Sequence, residues 1–294
     1  MNLGDSHQPD SPFALILGHP DDSVLKRLGF RLREKGLAAF HIGNVAGAGV
    51  SLPIGVDGME AWAKVSGHEL PIGRAKACVL SCVLSKCWDP LSPSNAAYIE
   101  QESHAAWLAL LYGIPCRMLN RPSASVPVWM FSSLQIRSIV RTLGIPTADD
   151  RICNGRTLES GRPKESHIAC IDLSNHRRFW LDGDYTLSAD QMYAVVSVPV
   201  DPMYDIIVRV GNEFFGYTWE LGAQTAQELS PVADSLIENT RRLLCALELE
   251  YAYCFYSRVE RTHTFTSLQT YAPSFLGPQA ELEVAECLLD WMLE

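Results

Sequence analysis

Residues 13–43 constrain the fold of this chain more than any other stretch. "FALIL" (13–17) is a short apolar run ending in Gly18, His19, Pro20 and Asp21, the composition of a buried strand feeding a turn. "SVLKRLGFRLREKG" follows, with Val24, Leu25, Leu28 and Leu32 at helical spacing, Ser23 as its cap and Gly36 as its stop. "LAAFHIG" then reads as a second strand. A strand, a helix and a strand in about 30 residues predict a parallel α/β unit. His19 falls at the end of the first strand, where open parallel sheets form their crevice, and reads either as a turn residue or as a group facing that crevice.

The alternation continues as far as Gly144. "NVAGAGVSLPIG" is glycine-rich, but its glycines do not follow G-x-G-x-x-G and no helix opens after them, so it reads as a loop and not a phosphate cradle. "HELPIGRAKACVLSCVL" brings a turn and a strand. "DPLSPSNAAYIEQESHAAWLALLYGIP" is a loop followed by a helix that ends at Gly113, and "CRMLNRPSASVP" is a strand running into a loop. A second amphipathic helix starts at Ser132 or Ser133 and carries Leu134, Ile136, Ile139, Val140 and Leu143 on one face.

Beyond Gly144 the texture turns to β. Short strands mix with turn residues over 151–186, and "YAVVSVPV" and "YDIIVRVGNEFFGYTWE" are strong β runs, the second closing as a hairpin at Gly211-Asn212. "SPVADSLIENTRRLLCALELEYAYCFYSR" reads as a capped helix leading into a strand. "HTFTSLQTYAP" is a further strand and "PQAELEVAECLLDWMLE" a terminal helix. A length of 294 residues suggests two units. The expected fold is α/β over residues 1–122, with a parallel sheet, and α+β over residues 123–294.

Composition removes several function classes. A formal charge of −10 with no basic run argues against a nucleic-acid surface. Residues 1–13 lack the basic and apolar regions of a secretory signal. No apolar stretch approaches the ~20 residues that span a bilayer. Nine scattered cysteines, an odd number, suit a reducing cytoplasm better than a disulfide scaffold. Cys78, Cys82 and Cys87 interrupt an apolar β-rich run and read as small hydrophobes in a strand, not metal ligands. Trp62, Trp107, Trp129, Trp180 and Trp219 read as core or rim residues.

Specific words then meet this order of elements. "YIEQESHAAWLALLYGIPCRMLNRP" followed by "SLQIRSIVRTLGIPTADDRICNG" resembles the ATP-grasp ligases, especially the branch of ribosomal-protein glutamate ligase and the ligases that modify peptides. In that branch an "NRP" strand precedes a helix with K-x-x-Q and then G-[IVL]-P-x-T. Asn120, Arg121, Pro122, Gln135, Gly144, Pro146 and Thr147 match it. "VPVDPMYDIIVRVGNEFFG" and "RRLLCALELEYAYCFYSRVERTHTFTSLQTYAPSF" resemble the later segments that carry the family's "dlR", "iD" and "E-x-N" motifs. The resemblance implies an ATP-grasp-like fold, with an N-terminal parallel α/β domain (1–122) followed by a reduced nucleotide-clamp region (123–294).

In such a ligase two lysines grip the ATP phosphates, and carboxylates with an asparagine hold magnesium. The chemistry needs them because attack on the γ-phosphate brings anions together, and magnesium asks for hard oxygen ligands. Carried over residue by residue, these parts are missing. Ser132 and Ser133 stand where the first lysine belongs. "HIACIDLS" offers no second lysine, with Lys164 too early and Arg177 and Arg178 after a hairpin. The metal-binding Asp aligns with Cys254 or Phe255, and the Glu-x-Asn pair with Ser267 and Gln269. Asp205 partly matches "dlR", while Arg209 is displaced from the family's arginine. Each such contact is worth roughly 3–4 kcal/mol in the transition state, so joint loss leaves little of the mechanism.

Arg178, Asp205, Arg209, Arg258, Arg261, His263, Ser267 and Gln269 are therefore the candidate binding residues of the former cleft, with no catalytic residue and no metal ligand among them. Arg258, Arg261 and His263 either replace magnesium with cationic groups that bind an anion directly, or form a solvent-facing hairpin. Asp201 and Asp205 read as solvated carboxylates flanking a loop. The leading expectation is a non-catalytic, cytoplasmic ATP-grasp-like protein that binds a peptide or partner protein in a peptide-modification or biosynthetic pathway. It expects no cofactor, nucleic acid or membrane, and allows a homo-oligomer. The rivals are an active ATP- and magnesium-dependent carboxylate–amine ligase with relocated contacts, and an unrelated α/β enzyme using the strand-end crevice.

Overall fold

β1 (Phe13–Leu17) is buried at all five positions, as an unbroken apolar run requires in a parallel sheet covered on both faces. α1 (Ser23–Glu34) returns the chain to β2 (Ala38–Ile42), which pairs with β1 in parallel. The computed structural model describes residues 11–43, 49–51, 54–55, 58–59, 62–65, 68–81, 93–122, 133–147, 150–154, 167–172, 178–180, 192–198, 203–259 and 262–294. The cap of α1 differs from the sequence expectation. Asp22 caps it, its carboxylate accepting from the Leu25 N–H, while Ser23 is the first helical residue and donates to Glu281. Asp22 precedes the turn with extended backbone, which lets its short acceptor reach the free N–H groups of the first turn.

Short antiparallel strands come next: β3 (Gly49–Ser51), β4 (Ile54–Gly55), β5 (Gly58–Met59), β6 (Trp62–Val65) and β7 (His68–Pro71). The glycine-rich stretch expected as loop thus contributes β3 and β4, with residues 44–48 outside the described set. β8 (Ala75–Leu80), α2 (Pro93–Gly113) and β9 (Arg117–Leu119) complete a parallel sheet in the order β2-β1-β8-β9. Cys78 is a buried residue of β8 whose thiol burial pushes well up; Cys82 and Cys87 lie outside the described residues. α1 covers one face through Val24, Leu25, Leu28 and Leu32, and α2 the other through Trp107, Leu110 and Leu111. At ~1.5–3 kcal/mol per large apolar side chain, burial on this scale outweighs weak local propensities.

α3 (Ser133–Thr142) leads to a small antiparallel sheet of β10 (Asp150–Asn154), β11 (His167–Asp172), β12 (Arg178–Trp180) and β13 (Met192–Val198), in the order β10-β13-β11-β12. The third sheet holds β14 (Met203–Val210), β15 (Glu213–Glu220), β16 (Gln227–Glu228), β17 (Tyr251–Val259) and β18 (Thr262–Gln269), in the order β16-β15-β14-β17-β18. The β14–β15 hairpin closes at Gly211-Asn212, where Gly211 adopts φ 59, a backbone angle cheap only without a Cβ. α4 (Asp234–Ala246) sits between β16 and β17; its N-cap is Ala233, which makes no side-chain cap bond, so the capped start expected there does not form. α5 (Pro278–Leu293) ends the chain.

The large sheet is sandwiched. Ile207, Ala252, Cys254, Tyr256 and Phe265 pack on Ile136 and Val140 of α3 and Leu243 and Leu244 of α4. Ile206, Val208, Tyr253 and Phe255 face the other way, in one cluster with Leu25 and Leu28 of α1, Val284 and Leu288 of α5, and Ile16 and Val79 of the parallel sheet. Asn120 fastens the two sheets at their junction. Fully buried and at φ 57, it donates to the carbonyls of Leu80 (2.9 Å) and Tyr251 (2.7 Å) and accepts from the N–H groups of Glu250 (2.8 Å) and Tyr251 (2.9 Å). Arg121 beside it donates to the carbonyls of Ile114 and Cys116 beyond the end of α2.

Candidate functional site

Ser267 and Gln269 lie on β18, opposite Phe255 and Tyr253 of β17. Phe255 belongs to the cluster on the α5 face, whereas Cys254 points to α3 and α4, so Phe255 is the β17 residue that shares a face with Ser267. Register places three rows on this face: Trp219–Tyr204–Ser257–Thr264, Tyr217–Ile206–Phe255–Ser267 and Phe215–Val208–Tyr253–Gln269. No Asp, Glu, Lys or Arg occurs in them. Burial raises the phenols of Tyr204, Tyr217 and Tyr253, so these rings stay neutral. Ser267 and Gln269 are half-buried, and neither side chain hydrogen-bonds to another described residue.

The loop after β18 closes over this face with an aromatic ring. Phe275 stacks on Trp219 at 3.9 Å between centroids and 13° between planes, and meets Phe255 edge-on at 6.4 Å. Tyr204 lies 5.7 Å from Trp219. Three contacts fix the loop: Asp22 accepts from the Ala272 N–H, Ser81 donates to the Thr270 carbonyl, and the Ala226 N–H donates to the Phe275 carbonyl. Burial raises the Asp22 carboxyl against the lowering effect of the backbone N–H groups of Ala272, Leu25 and Val24. Burial also lowers the His41 imidazole, whose Nε2 lies 3.3 Å from the Gly18 carbonyl. Phe275 was not singled out from sequence, because nothing local to "YAPSFLG" says that a turn residue will stack on a strand 56 positions earlier.

The cationic candidates lie elsewhere. Asp205, Arg258 and His263 stand on the α3/α4 face, Asp205 in the row of Tyr256 and Phe265 and the other two in the next row. Asp205 is in the body of β14 with its side chain 1 % exposed, not a solvated loop carboxylate. It accepts from Thr218 Oγ1 (2.8 Å) and from His263 Nε2 (2.9 Å), with Arg258 Nη1 at 3.7 Å. A carboxylate only accepts, so Nε2 of His263 carries the proton, and Nδ1 faces away from Asp205. These partners compensate a buried charge that is otherwise costly. Arg258 and His263 thus do not share a face with Ser267 and do not stand in for a metal beside it.

Arg209, also on the α3/α4 face, belongs to neither group. Its guanidinium donates to the Gly211 and Leu249 carbonyls and ties the hairpin to the start of β17. Arg178 begins β12, paired with Ile171 of β11. Arg261, Asp201, Lys164 and Ser132 lie outside the described residues, and Ser133 opens α3. His19 is a turn residue whose Nδ1 accepts from the Asp21 N–H. Among the described residues no group of three His, Cys, Asp or Glu could hold a metal ion, and no helix is long and apolar enough to cross a membrane.

Comparison of the fold with solved structures places this geometry in context. The macrocyclase MdnB from Microcystis aeruginosa MRC superposes with a TM-score of 0.72 at 13% identity, over 96% of this chain and 99% of that one. A RiPP-associated ATP-grasp ligase from Chryseobacterium gregarium, in complex with ADP and a leader and core peptide, gives 0.66 at 10% identity over 96% of each chain. A RimK domain ATP-grasp protein from Sphaerobacter thermophilus DSM 20745 gives 0.55 at 11% identity, over 96% and 100%. No protein-family profile and no curated protein matches the sequence. The fold is therefore the ATP-grasp fold, as the resemblance in the motifs implied.

That fold implies a magnesium–nucleotide site, and the described residues of the Phe255–Ser267–Gln269 rows do not fit one. Magnesium takes carboxylate and phosphate oxygens in a near-octahedral shell. The Phe255–Ser267–Gln269 face offers a hydroxyl and a carboxamide beside a stacked ring pair, with no carboxylate in its three cross-strand rows; the carboxylates that touch it, Glu283 on the Tyr217 hydroxyl and Asp22 on the Ala272 N–H, are engaged there.

Proposed function

We propose that this protein keeps the ATP-grasp fold without ligation and acts as a binding component, for a peptide or a partner protein, in a peptide-modification pathway. One observation carries the reading. The face on which Ser267 and Gln269 replace the Glu-x-Asn pair is uncharged through three cross-strand rows, and Phe275 and Trp219 stack beside it. Phosphoryl transfer between anions depends on cations and metal at the site of charge development, and a neutral aromatic face supplies neither. The pathway is read from the neighbours in fold, of which the Chryseobacterium ligase was solved in complex with a leader and core peptide. No cofactor enters this reading.

Incubation of the full chain with ATP, magnesium and a panel of peptides bearing free carboxylates and amines tests it, with ADP release as the readout. The expected result is no release above that of the protein-free control. Peptide-stimulated ADP release would make the protein an active carboxylate–amine ligase with relocated contacts.

A further inference from the structure

Between the start of α5 and the edge strand β16 lies a cavity of about 330 Å³. That is the lower end of the ~300–1,000 Å³ usual for ligand pockets, and it suits one long side chain. The buried Tyr217, the apolar Ala226, Ala280 and Leu282, and the carboxylates of Glu228 and Glu283 line it. The two carboxylates come from different elements. Glu228 is the cross-strand partner of Tyr217, so their side chains share one face of the sheet. Glu283, from α5, accepts from the Tyr217 hydroxyl at 2.7 Å. Burial raises the Tyr217 phenol, and the Glu283 hydrogen bond and the charges of Glu283 and Glu228 raise it further. The hydroxyl therefore stays a donor and holds Glu283 in one orientation.

Charge fixes the class of ligand. Glu286, which also lines the cavity, is already paired: Arg31 Nε donates to it at 2.5 Å, and the same guanidinium donates to Glu34. Among the described residues, Glu228 and Glu283 have no cationic partner. Two carboxylates beside one phenol repel each other, and a cation between them relieves the repulsion. The formal charge of −10 adds a longer-range attraction for a basic ligand. A lysine or arginine side chain matches both parts of the cavity, because its methylene stem covers apolar surface while its head stays charged. We propose that this cavity docks a lysine or arginine side chain of a basic peptide segment, with the stem along Ala226, Ala280 and Leu282 and the cationic head on Glu228 and Glu283. This rests on the binding reading given above and names the chemistry of its ligand.

The test uses the full-length protein and three sets of dye-labelled twelve-residue peptides, centred on Lys-Arg, Asp-Glu or Leu-Phe, with binding followed by fluorescence anisotropy. The Lys-Arg set is expected to bind at least tenfold more tightly than either other set. Glu228→Gln/Glu283→Gln is expected to weaken it about tenfold with an unchanged melting temperature, because a carboxamide still accepts from the Tyr217 hydroxyl. Glu228→Gln alone is expected to weaken it at least threefold. Glu238→Gln, the same loss of charge on α4 across the sheet, is expected to change it less than twofold. No binding by any set, equal or tighter binding of another set, or wild-type affinity in the double variant overturns the proposal. An equal loss in Glu238→Gln overturns it too, by reducing the effect to net charge. Displacement of the peptide by an equal concentration of spermidine overturns the peptide occupant in favour of a free polyamine. Peptide-stimulated ADP release overturns instead the non-catalytic reading beneath the proposal, so the two failures are distinguishable.

Discussion

Asn120 shows how much one side chain does in this protein. Its carboxamide makes four hydrogen bonds, to Leu80 on one sheet and to Glu250 and Tyr251 at the start of β17. Asn120→Ala leaves the buried Tyr251 N–H, the half-buried Glu250 N–H and two carbonyls without that partner, at ~1–3 kcal/mol for each buried group that stays unsatisfied. The expected loss is roughly 3–5 kcal/mol in urea unfolding, and a loss below ~1 kcal/mol would show that the junction does not depend on it. His41 gives a pH dependence at the same scale. Burial lowers its folded pKa below the ordinary 6.5, so the unfolded chain takes up the proton first. Stability from this group is complete above 6.5 and is lost as pH falls through that value toward the lowered one. His41→Gln is expected to flatten the slope of unfolding free energy just below pH 6.5; an unchanged slope would assign it to other groups. Asn120 was legible in the sequence as part of an "NRP" word, but its partners lie 40 and 131 residues away, beyond any local pattern.

Elements explain what the sequence conveyed and what it hid. An unbroken apolar run located β1, strong β runs located β14 and β15, and helical spacing located α1. The faces of β18 were not legible. His263 and Ser267 are four residues apart and should point the same way in a regular strand. Phe255 pairs with Ser267 but Tyr256 with Phe265, so Thr266 is an extra residue, and its hydroxyl donates to the Phe255 carbonyl. That bulge reverses the alternation and sends His263 to the α3/α4 face while Ser267 and Gln269 turn the other way. The loop carrying Phe275 supplies the prediction at this scale. Phe275→Ala removes the stack on Trp219 and part of the cover on Phe255, at an expected roughly 1–3 kcal/mol, below the ~3–5 for a fully buried phenylalanine. Tryptophan emission should shift to the red in the folded variant. An unshifted spectrum with unchanged stability would mean that the rings do not support each other in solution.

The whole molecule carries the ATP-grasp architecture. The parallel sheet, the five-stranded sheet, the shared cluster of α1 and α5, and the Asn120 fastener account for superposition on ATP-grasp proteins at identities of 10–14%. Few specific residues are needed to keep that fold, since burial and pattern carry most of it. The positions at which the resemblance places the family's metal ligands were legible singly. That Phe255, Ser267 and Gln269 share one face with Trp219 and Phe275 was not, because register decides it. The central claim is that this face no longer holds magnesium and nucleotide. Calorimetric titration of ATP into the full chain, with and without magnesium, tests it most directly. The expected result is no magnesium-dependent heat of binding up to millimolar nucleotide. Saturable, magnesium-dependent binding in the micromolar range would contradict the account.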